Sequence, residues 1–575
     1  MKKIVFLLIW GSLALNVFAQ QKAPKWMEKQ KKAVVSITTY KADGTTLHNG
    51  TGFFITEDGL LLSAYSLFKG ADKATVTDTN GKTYPVSRVL GADELYDVIK
   101  LQVEIPKKVS CLEMAEAPLQ VNAPAYLLPF VKEKGKVKSF GNGKVEEVTK
   151  LKETYHYYKL SFPLQVGWTN APVCNEEGQV FGLAQEDASG KNACSYAVSA
   201  AYANSLAITS TDAFNSTYST IGIRKAWPTD REQAKIATYI IENTQDAKSF
   251  LETLNDFVAT FPDWWESYSR RASHYVFRRS ALASDASGQA GCLAKAEADL
   301  KQSIELSDNK SEALYNAAQL IYSAAVSDTT LKTNPNWNLE RAQAVLTEAL
   351  QAQNIPAYHQ LQADIYFAQG QYEQAYQEYM TVNQSDAANA NSWYMASKAK
   401  SAVIGFNIGD IIQLLDSAVA CCGNPPSVEA APYVLERIDW KLRLMQYKEA
   451  VADYDLYYQI YNGKVDDNFY YYREQAKFRM DDLDGALQDI QQAMNIAPQN
   501  AMYPAEEASI YIRQKKYEEA LRSIDKALAI APEFAACYRL RGICLQRSGK
   551  AEEARSALLK AKELGDPAAE KLLGN

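Results

Sequence analysis

The chain has 575 residues, more than one hydrophobic core organises, which implies about two to four domains. Charged residues make up 22% and hydrophobic ones 47%, the balance of a soluble globular protein. The formal net charge of −7 becomes −9 once Lys2 and Lys3 leave with a leader, which argues against nucleic acid as a partner.

Met1-Lys2-Lys3 is a short positive segment, and the apolar run from Ile4 to Val17 is broken only by Gly11, Ser12 and Asn16. Val17-Phe18-Ala19 then fits a small-x-small cleavage site, so residues 1–19 are predicted to be a signal peptide that leaves Gln20 as the mature N-terminus. A membrane anchor is the alternative, but the run is short of a bilayer span and polar residues follow at once. No cysteine near the cleavage point supports a lipid anchor, and no later stretch is apolar enough to cross a membrane. The mature protein is expected to be exported and soluble, in a bacterial periplasm or secreted.

Residues 20–206 read as short apolar runs split by turn signals. Ala33-Val34-Val35-Ser36-Ile37, Ala74-Thr75-Val76-Thr77, Val86-Ser87-Arg88-Val89-Leu90 and Val98-Ile99-Lys100-Leu101-Gln102-Val103 are strand candidates. Turns are expected at Asp43-Gly44, Asp58-Gly59, Asn80-Gly81 and Asn142-Gly143. Many short strands at such spacing indicate an all-β barrel or sandwich.

Three landmarks add chemistry to this pattern. The first runs from Gly50-Thr51-Gly52-Phe53-Phe54-Ile55 through Gly59-Leu60-Leu61-Leu62-Ser63-Ala64-Tyr65-Ser66-Leu67-Phe68-Lys69-Gly70-Ala71-Asp72. The second is Asp97-Val98-Ile99-Lys100-Leu101, and the third is Gly167-Trp168-Thr169-Asn170-Ala171-Pro172-Val173. Together they resemble the HtrA-like branch of the trypsin-like serine proteases. Gly178-Gln179-Val180-Phe181-Gly182-Leu183 and Tyr196-Ala197-Val198 resemble the strands that follow the nucleophile. The resemblance implies two six-stranded barrels, and it implies a catalytic triad whose places hold Ser66, Asp97 and Thr169. Only the acid is kept. A serine cannot serve as a base near pH 7, and a hydroxyl is a poor nucleophile until an imidazole takes its proton. The glycines expected after the nucleophile are Asn170 and Ala171, which burdens the turn that aims amides at an oxyanion. The expectation is an inactive serine protease homologue with no catalytic residues. His48 and His156 lie in strand-like sequence and read as half-exposed strand residues rather than a replacement base.

Eight cysteines in an exported chain invite a disulfide reading. Cys537 and Cys544 lie seven apart on a predicted helix, roughly 10 Å between Cα atoms and too far to bond. Cys421 and Cys422 are adjacent, where a bond would be strained. In the region where the resemblance implies antiparallel last strands, Cys174 and Cys194 are the best pair, with two buried free thiols an equal alternative. No C-x-x-C pair or histidine cluster is present, so no zinc site and no cofactor are expected.

Residues 207–229 are rich in Ser, Thr and Asn and read as a linker. From Asp230, a candidate cap, the period changes to 3.6 and stays helical to the end. Pro498 and Pro532 stand 34 residues apart, and between them lie Ala508, Tyr511, Tyr517, Ala520, Ile524 and Ala527. Gly542, Leu545, Ala551, Ala554, Leu558 and Ala561 continue the spacing. Leu483, Ala486, Ile490 and Ala493 precede it, and Ala363, Tyr366, Tyr372, Ala375 and Tyr379 repeat the same pattern earlier. This resembles the tetratricopeptide repeat, and residues 230–575 are expected to form roughly seven or eight helix pairs stacked as a superhelix.

Such an array implies a concave groove for an extended peptide or protein partner. Groove-facing places are the second, fifth, ninth and twelfth of each first helix. In the last two full units these are Met502, Ala505, Ser509 and Ile512, then Ala536, Arg539, Ile543 and Gln546. The Lys and Asn clamp that some family members use for a terminal carboxylate is absent there. Tyr471, Arg539 and Ile543 are the candidate protein-binding residues, although tyrosines in this region more often pack between helices. The leading reading is an exported, non-catalytic scaffold. The alternatives are a peptidase with Thr169 as an unusual nucleophile, and a degenerate cleft that holds a peptide without cutting it.

Overall fold

The computed structural model describes residues 22–574 except 133, 192, 213 and 214, so the predicted signal peptide lies outside the described residues. Two compact units divide the chain, Met1–Pro262 and Asp263–Asn575.

The first unit begins with helix α1 (Lys25–Gln30) and continues into strands β1 (Val34–Tyr40), β2 (Thr46–Phe54), β3 (Leu60–Ser63), β4 (Lys73–Thr77), β5 (Thr83–Asp93) and β6 (Val98–Val103). These close a barrel in the order β1-β2-β3-β6-β5-β4. Six more strands follow: β7 (Pro124–Leu127), β8 (Gly141–Leu151), β9 (Tyr155–Leu160), β10 (Pro172–Cys174), β11 (Val180–Gln185) and β12 (Ser195–Ser199). They close a second barrel in the order β10-β11-β12-β9-β8-β7. The two six-stranded barrels implied by the resemblance are therefore present.

Alternation explains the barrels. Along β1 the side chains of Val35 and Ile37 are buried inside with Phe54, Leu61, Val76, Val89, Ile99 and Leu101. The second barrel is filled by Leu127, Val145, Tyr158, Leu160, Trp168, Val173 and Phe181. A third apolar cluster, including Phe53, Leu62, Val98, Leu128, Cys174 and Val198, draws on strands from both barrels. Gly52 permits close pairing, since a Cβ there would stand 2.9 Å from the Leu62 carbonyl oxygen. The expected turns at Gly44, Gly59 and Gly81 all carry positive φ. Asn142-Gly143 differs, for both residues lie inside β8. Gly143 is small because a Cβ would press on Ser161 Oγ and the Phe162 ring, so it marks a close contact and not a turn.

Helices α2 (Ala200–Ser205), α3 (Ser216–Ser219), α4 (Arg231–Glu242) and α5 (Ala247–Thr260) complete the first unit. Asp230 caps α4 as expected, its side chain accepting from the Gln233 amide. That α4 and α5 group with the barrels has a local cause. Asp256 of α5, with a side chain 8% exposed, pairs with Arg88 of β5 and Arg224 and accepts from Trp227 Nε1 at 2.9 Å.

The second unit is all helical: α6 (Trp265–Phe277), α7 (Arg279–Leu282), α8 (Ala286–Leu306), α9 (Lys310–Ser327), α10 (Leu339–Ala352), α11 (Pro356–Ala368), α12 (Tyr372–Asn383), α13 (Ala390–Ala402), α14 (Ile408–Ala420), α15 (Ala431–Arg443), α16 (Tyr447–Ile460), α17 (Asp467–Arg479), α18 (Leu483–Ile496), α19 (Met502–Arg513), α20 (Tyr517–Ile530), α21 (Ala535–Arg547), α22 (Ala551–Glu563) and α23 (Pro567–Leu573). Long helices pack in consecutive pairs, α6 with α8, α9 with α10, and so on to α21 with α22. In the last three pairs the second helices begin at Leu483, Tyr517 and Ala551, which are 34 residues apart. Small residues sit where helices touch: Ala508, Ala520 and Ala527 are fully buried, and a Cβ on Gly542 would lie 2.6 Å from Leu558 Cγ.

A ladder of buried ion pairs runs through the pairs. Arg437 binds Asp453 with two nitrogens at 2.9 and 2.7 Å and reaches Asp416 at 2.7 Å. One pair later Arg473 does the same with Asp489 and Asp455. The next unit replaces the arginine with Glu507 and the aspartate with Ser523, joined at 2.7 Å. Among the described residues no helix is long and apolar enough to cross a membrane.

Candidate functional site

Strand β3 ends at Ser63, and the chain turns through a 3₁₀ segment, Tyr65–Leu67. Tyr65 and Phe68 are buried on either side of Ser66, so the turn is fixed while Ser66 itself stays exposed. Asp97 sits in the turn between β5 and β6 with φ 51. Its two oxygens are both taken by Ser66: Oδ1 accepts from the Ser66 amide at 2.6 Å and Oδ2 from Ser66 Oγ at 3.0 Å. In the triad that the resemblance implies, this carboxylate would orient an imidazole; here it holds a serine.

The third landmark lies in the loop between β9 and β10. Trp168 is buried in the second barrel and anchors this loop. Its amide donates to the Gln165 carbonyl at 3.0 Å. Asn170 takes φ 67, a left-handed conformation that asparagine tolerates better than most residues, and its amide bonds the Ala184 carbonyl at 2.8 Å. The turn expected to require glycine is thus made by Gly167, φ 84, and Asn170. Thr169 Oγ1 donates to Glu186 Oε1 at 2.7 Å. Glu186 follows directly on Gln185, whose Nε2 donates to the Tyr96 carbonyl at 2.8 Å, one residue before Asp97. The end of β11 therefore brings the Asp97 turn and the Thr169 loop into one hydrogen-bonded neighbourhood.

Neither histidine enters it. His48 is exposed on β2, its amide bonded to Thr39 Oγ1. His156 lies on β9 beside Tyr158, ring centroids 6.2 Å apart, and lines a cavity of about 200 Å³ with Glu116 and Phe181. A further cavity of about 420 Å³ lies between the 208–228 segment and α4 and α5, and neither Ser66, Asp97 nor Thr169 lines it. Among the described residues no group of three or more His, Cys, Asp or Glu is placed to hold a metal ion.

The structure does not bring Cys174 and Cys194 together. Cys174 pairs across to Val180 at one end of β11, whereas Tyr196, two residues past Cys194, pairs with Gln185 at the other. At about 3.3 Å per residue most of β11 separates them, beyond the roughly 7 Å a disulfide spans between Cα atoms. Both thiols are free, and burial pushes the Cys174 thiol up.

In the helical unit the three candidate binding residues divide. Arg539 of α21 is committed internally: its Nε donates to Asp566 Oδ2 at 2.7 Å, and Asp566 caps α23. Tyr471 packs against Tyr472 and Tyr503, ring centroids 5.3 and 5.8 Å away, and joins the cluster around Ile490 and Ile510. Ile543 is half-buried on α21. Residues that sequence reading passed over include Glu186 and Asp364. Glu186 falls just past a legible strand, and Asp364 is a single acid inside an apolar helix, so neither carries a motif.

Residues 50–183 match the family described as trypsin-like peptidase domain. No curated protein matches the chain. The first unit therefore has a trypsin-like peptidase fold, and a helical, repeat-like region follows it.

Proposed function

We propose that this is an exported, non-catalytic interaction protein, in which a peptidase fold without peptidase chemistry is joined to a tetratricopeptide array that binds a protein or an extended peptide. The carrying observation is the pairing at the triad places. Ser66 occupies both oxygens of Asp97, and the Thr169 hydroxyl donates its hydrogen bond to Glu186 rather than to an imidazole. Without a base of suitable strength neither hydroxyl becomes a nucleophile. The 34-residue spacing of the last helix pairs supports the tetratricopeptide reading, because stacked pairs generate a long concave surface as a consequence of burying their apolar faces.

The Thr169–Glu186 bond also favours a second reading, hydrolysis with Thr169 as nucleophile and Glu186 as base. Carboxylates are weaker bases than imidazole by about 2 pH units, and the threonine methyl crowds attack, so this reading ranks second. The amides of Gly167 and Thr169 have no acceptor among the described residues, which supports the third reading, a cleft that holds a peptide carbonyl without cutting.

Purified protein should neither cleave casein nor react with a fluorophosphonate probe. Restoring Ser66→His with Thr169→Ser should recover little activity, since Glu186 still competes for the hydroxyl. Probe labelling of the unmodified protein at Thr169 would sink this reading. N-terminal sequencing tests export, with Gln20 expected first.

A further inference from the structure

Asp364 on α11 is a half-buried carboxylate that pairs with no cation among the described residues. Its Oδ1 accepts from Tyr379 Oη of α12 at 2.6 Å and from Gln360 Nε2 at 3.1 Å. Burial pushes its carboxyl up against the pull of those two bonds, and no Lys or Arg contributes. Burial, and then the nearby Asp364 charge, push up the phenols of Tyr315 and Tyr322 on α9. Tyr315 is held by stacking on Tyr358 at 4.8 Å, and the Tyr358 hydroxyl is bonded to Ser311 Oγ at 2.9 Å. Gln360 Oε1 is buried and has no hydrogen-bond partner among the described residues.

These groups share one deficit. A carboxylate, an unused amide oxygen and the half-buried rings of Tyr315 and Tyr322 supply acceptors and π-faces, and the complement is a cation that carries several donors. A divalent metal is a poor fit, because it needs more oxygen ligands than one carboxylate and one amide provide. A lysine ammonium or an arginine guanidinium fits in charge, donor number and affinity for aromatic faces. If Ala363 takes the eighth place of its repeat, Gln360 and Asp364 take the fifth and ninth, both on the groove side.

We propose that Asp364, held from below by Tyr379 and Gln360 and neighboured by the half-buried Tyr315 and Tyr322, anchors a lysine or arginine side chain of an extended partner peptide in the groove of the helical unit. This rests on the reading of that unit as the binding part.

The test applies the full chain to an array of short, otherwise neutral peptides with Lys, Arg, Met or Glu at the centre. Retention of the Lys and Arg peptides should exceed that of the Met and Glu peptides about ten-fold. Asp364→Asn keeps the shape and loses the charge, so the preference should vanish while the helical circular dichroism and melting temperature hold or rise. Asp364→Glu keeps the charge, so a preference for basic centres should persist where Asp364→Asn abolishes it. Retention without preference for a basic centre, or a preference that survives Asp364→Asn, overturns the proposal and leaves the helical binding reading standing. An array that retains no peptide also overturns it. The wider reading fails separately, if substitutions at Ser66 and Thr169, and not ones in the helical unit, abolish capture of an envelope partner.

Discussion

Replacing Glu474 with glutamine should stabilise the helical unit, and by an amount that grows with pH. Glu474 lies on α17 at the helix-contact place where Ala508 and Gly542 stand one and two repeats later. It is 0% exposed. Its Oε2 accepts from Gln475 Nε2 at 2.6 Å, while Oε1 is buried with no partner among the described residues. Burial, and then the Glu506 carboxylate, push its carboxyl from 4.5 up to about 8. The native state therefore holds the proton more tightly than the unfolded chain between these two values. Stability from this group is full below about 4.5 and is lost as pH rises towards 8. At pH 7 protonating the carboxyl for burial costs about 3 kcal/mol, and at pH 5 it costs under about 1. A glutamine has the same shape and no charge to neutralise. Its amide inherits the unpartnered position that the protonated carboxyl already occupies, so that penalty roughly cancels. Circular dichroism melts of the full chain at pH 5, 6, 7 and 8 measure the difference. The variant should melt about 5–10 °C higher at pH 7 and almost level with the unmodified protein at pH 5. An unmodified protein whose helical transition is flat from pH 5 to 8, or a variant less stable at pH 8, would refute the burial argument.

Arg437→Ala should destabilise the helical unit by about 2 kcal/mol, because it strands Asp453; the loss falls short of that for an isolated buried pair since Lys441 Nζ remains 2.7 Å from Asp453 Oδ2. Urea unfolding followed by circular dichroism reads this. Gly542→Val should cost about 1–3 kcal/mol, as its side chain would drive into Leu558 and the Ala554 carbonyl, and thermal melts should show the C-terminal pairs loosening first. Arg539→Ala should release α23 by removing the contact to its cap Asp566, at about 1 kcal/mol, and hydrogen exchange should rise over Pro567–Leu573 while partner binding changes little. A loss of binding without faster exchange there would return Arg539 to the groove.

What the sequence determined by itself is local or periodic. Alternating strands bounded by Gly44, Gly59 and Gly81 announce barrels, since positive φ at glycine is a property of the chain and needs no distant partner. The landmarks at Ser66, Asp97 and Thr169 carry the peptidase fold, and the 34-residue recurrence of Ala508 and Gly542 carries the helix pairs, because close packing repeats with the unit. Tertiary structure decided what each side chain meets. Register along β11 separates Cys174 from Cys194, and the closeness of β8 to Ser161 and Phe162 turns an apparent turn signal at Gly143 into a strand contact. The fold assigns Arg539 to Asp566, Thr169 to Glu186 and Asp256 to Arg88. Each of these joins residues at sequence separations that follow no period, so their energy depends on where the folded backbone places two charges and how far it removes them from water.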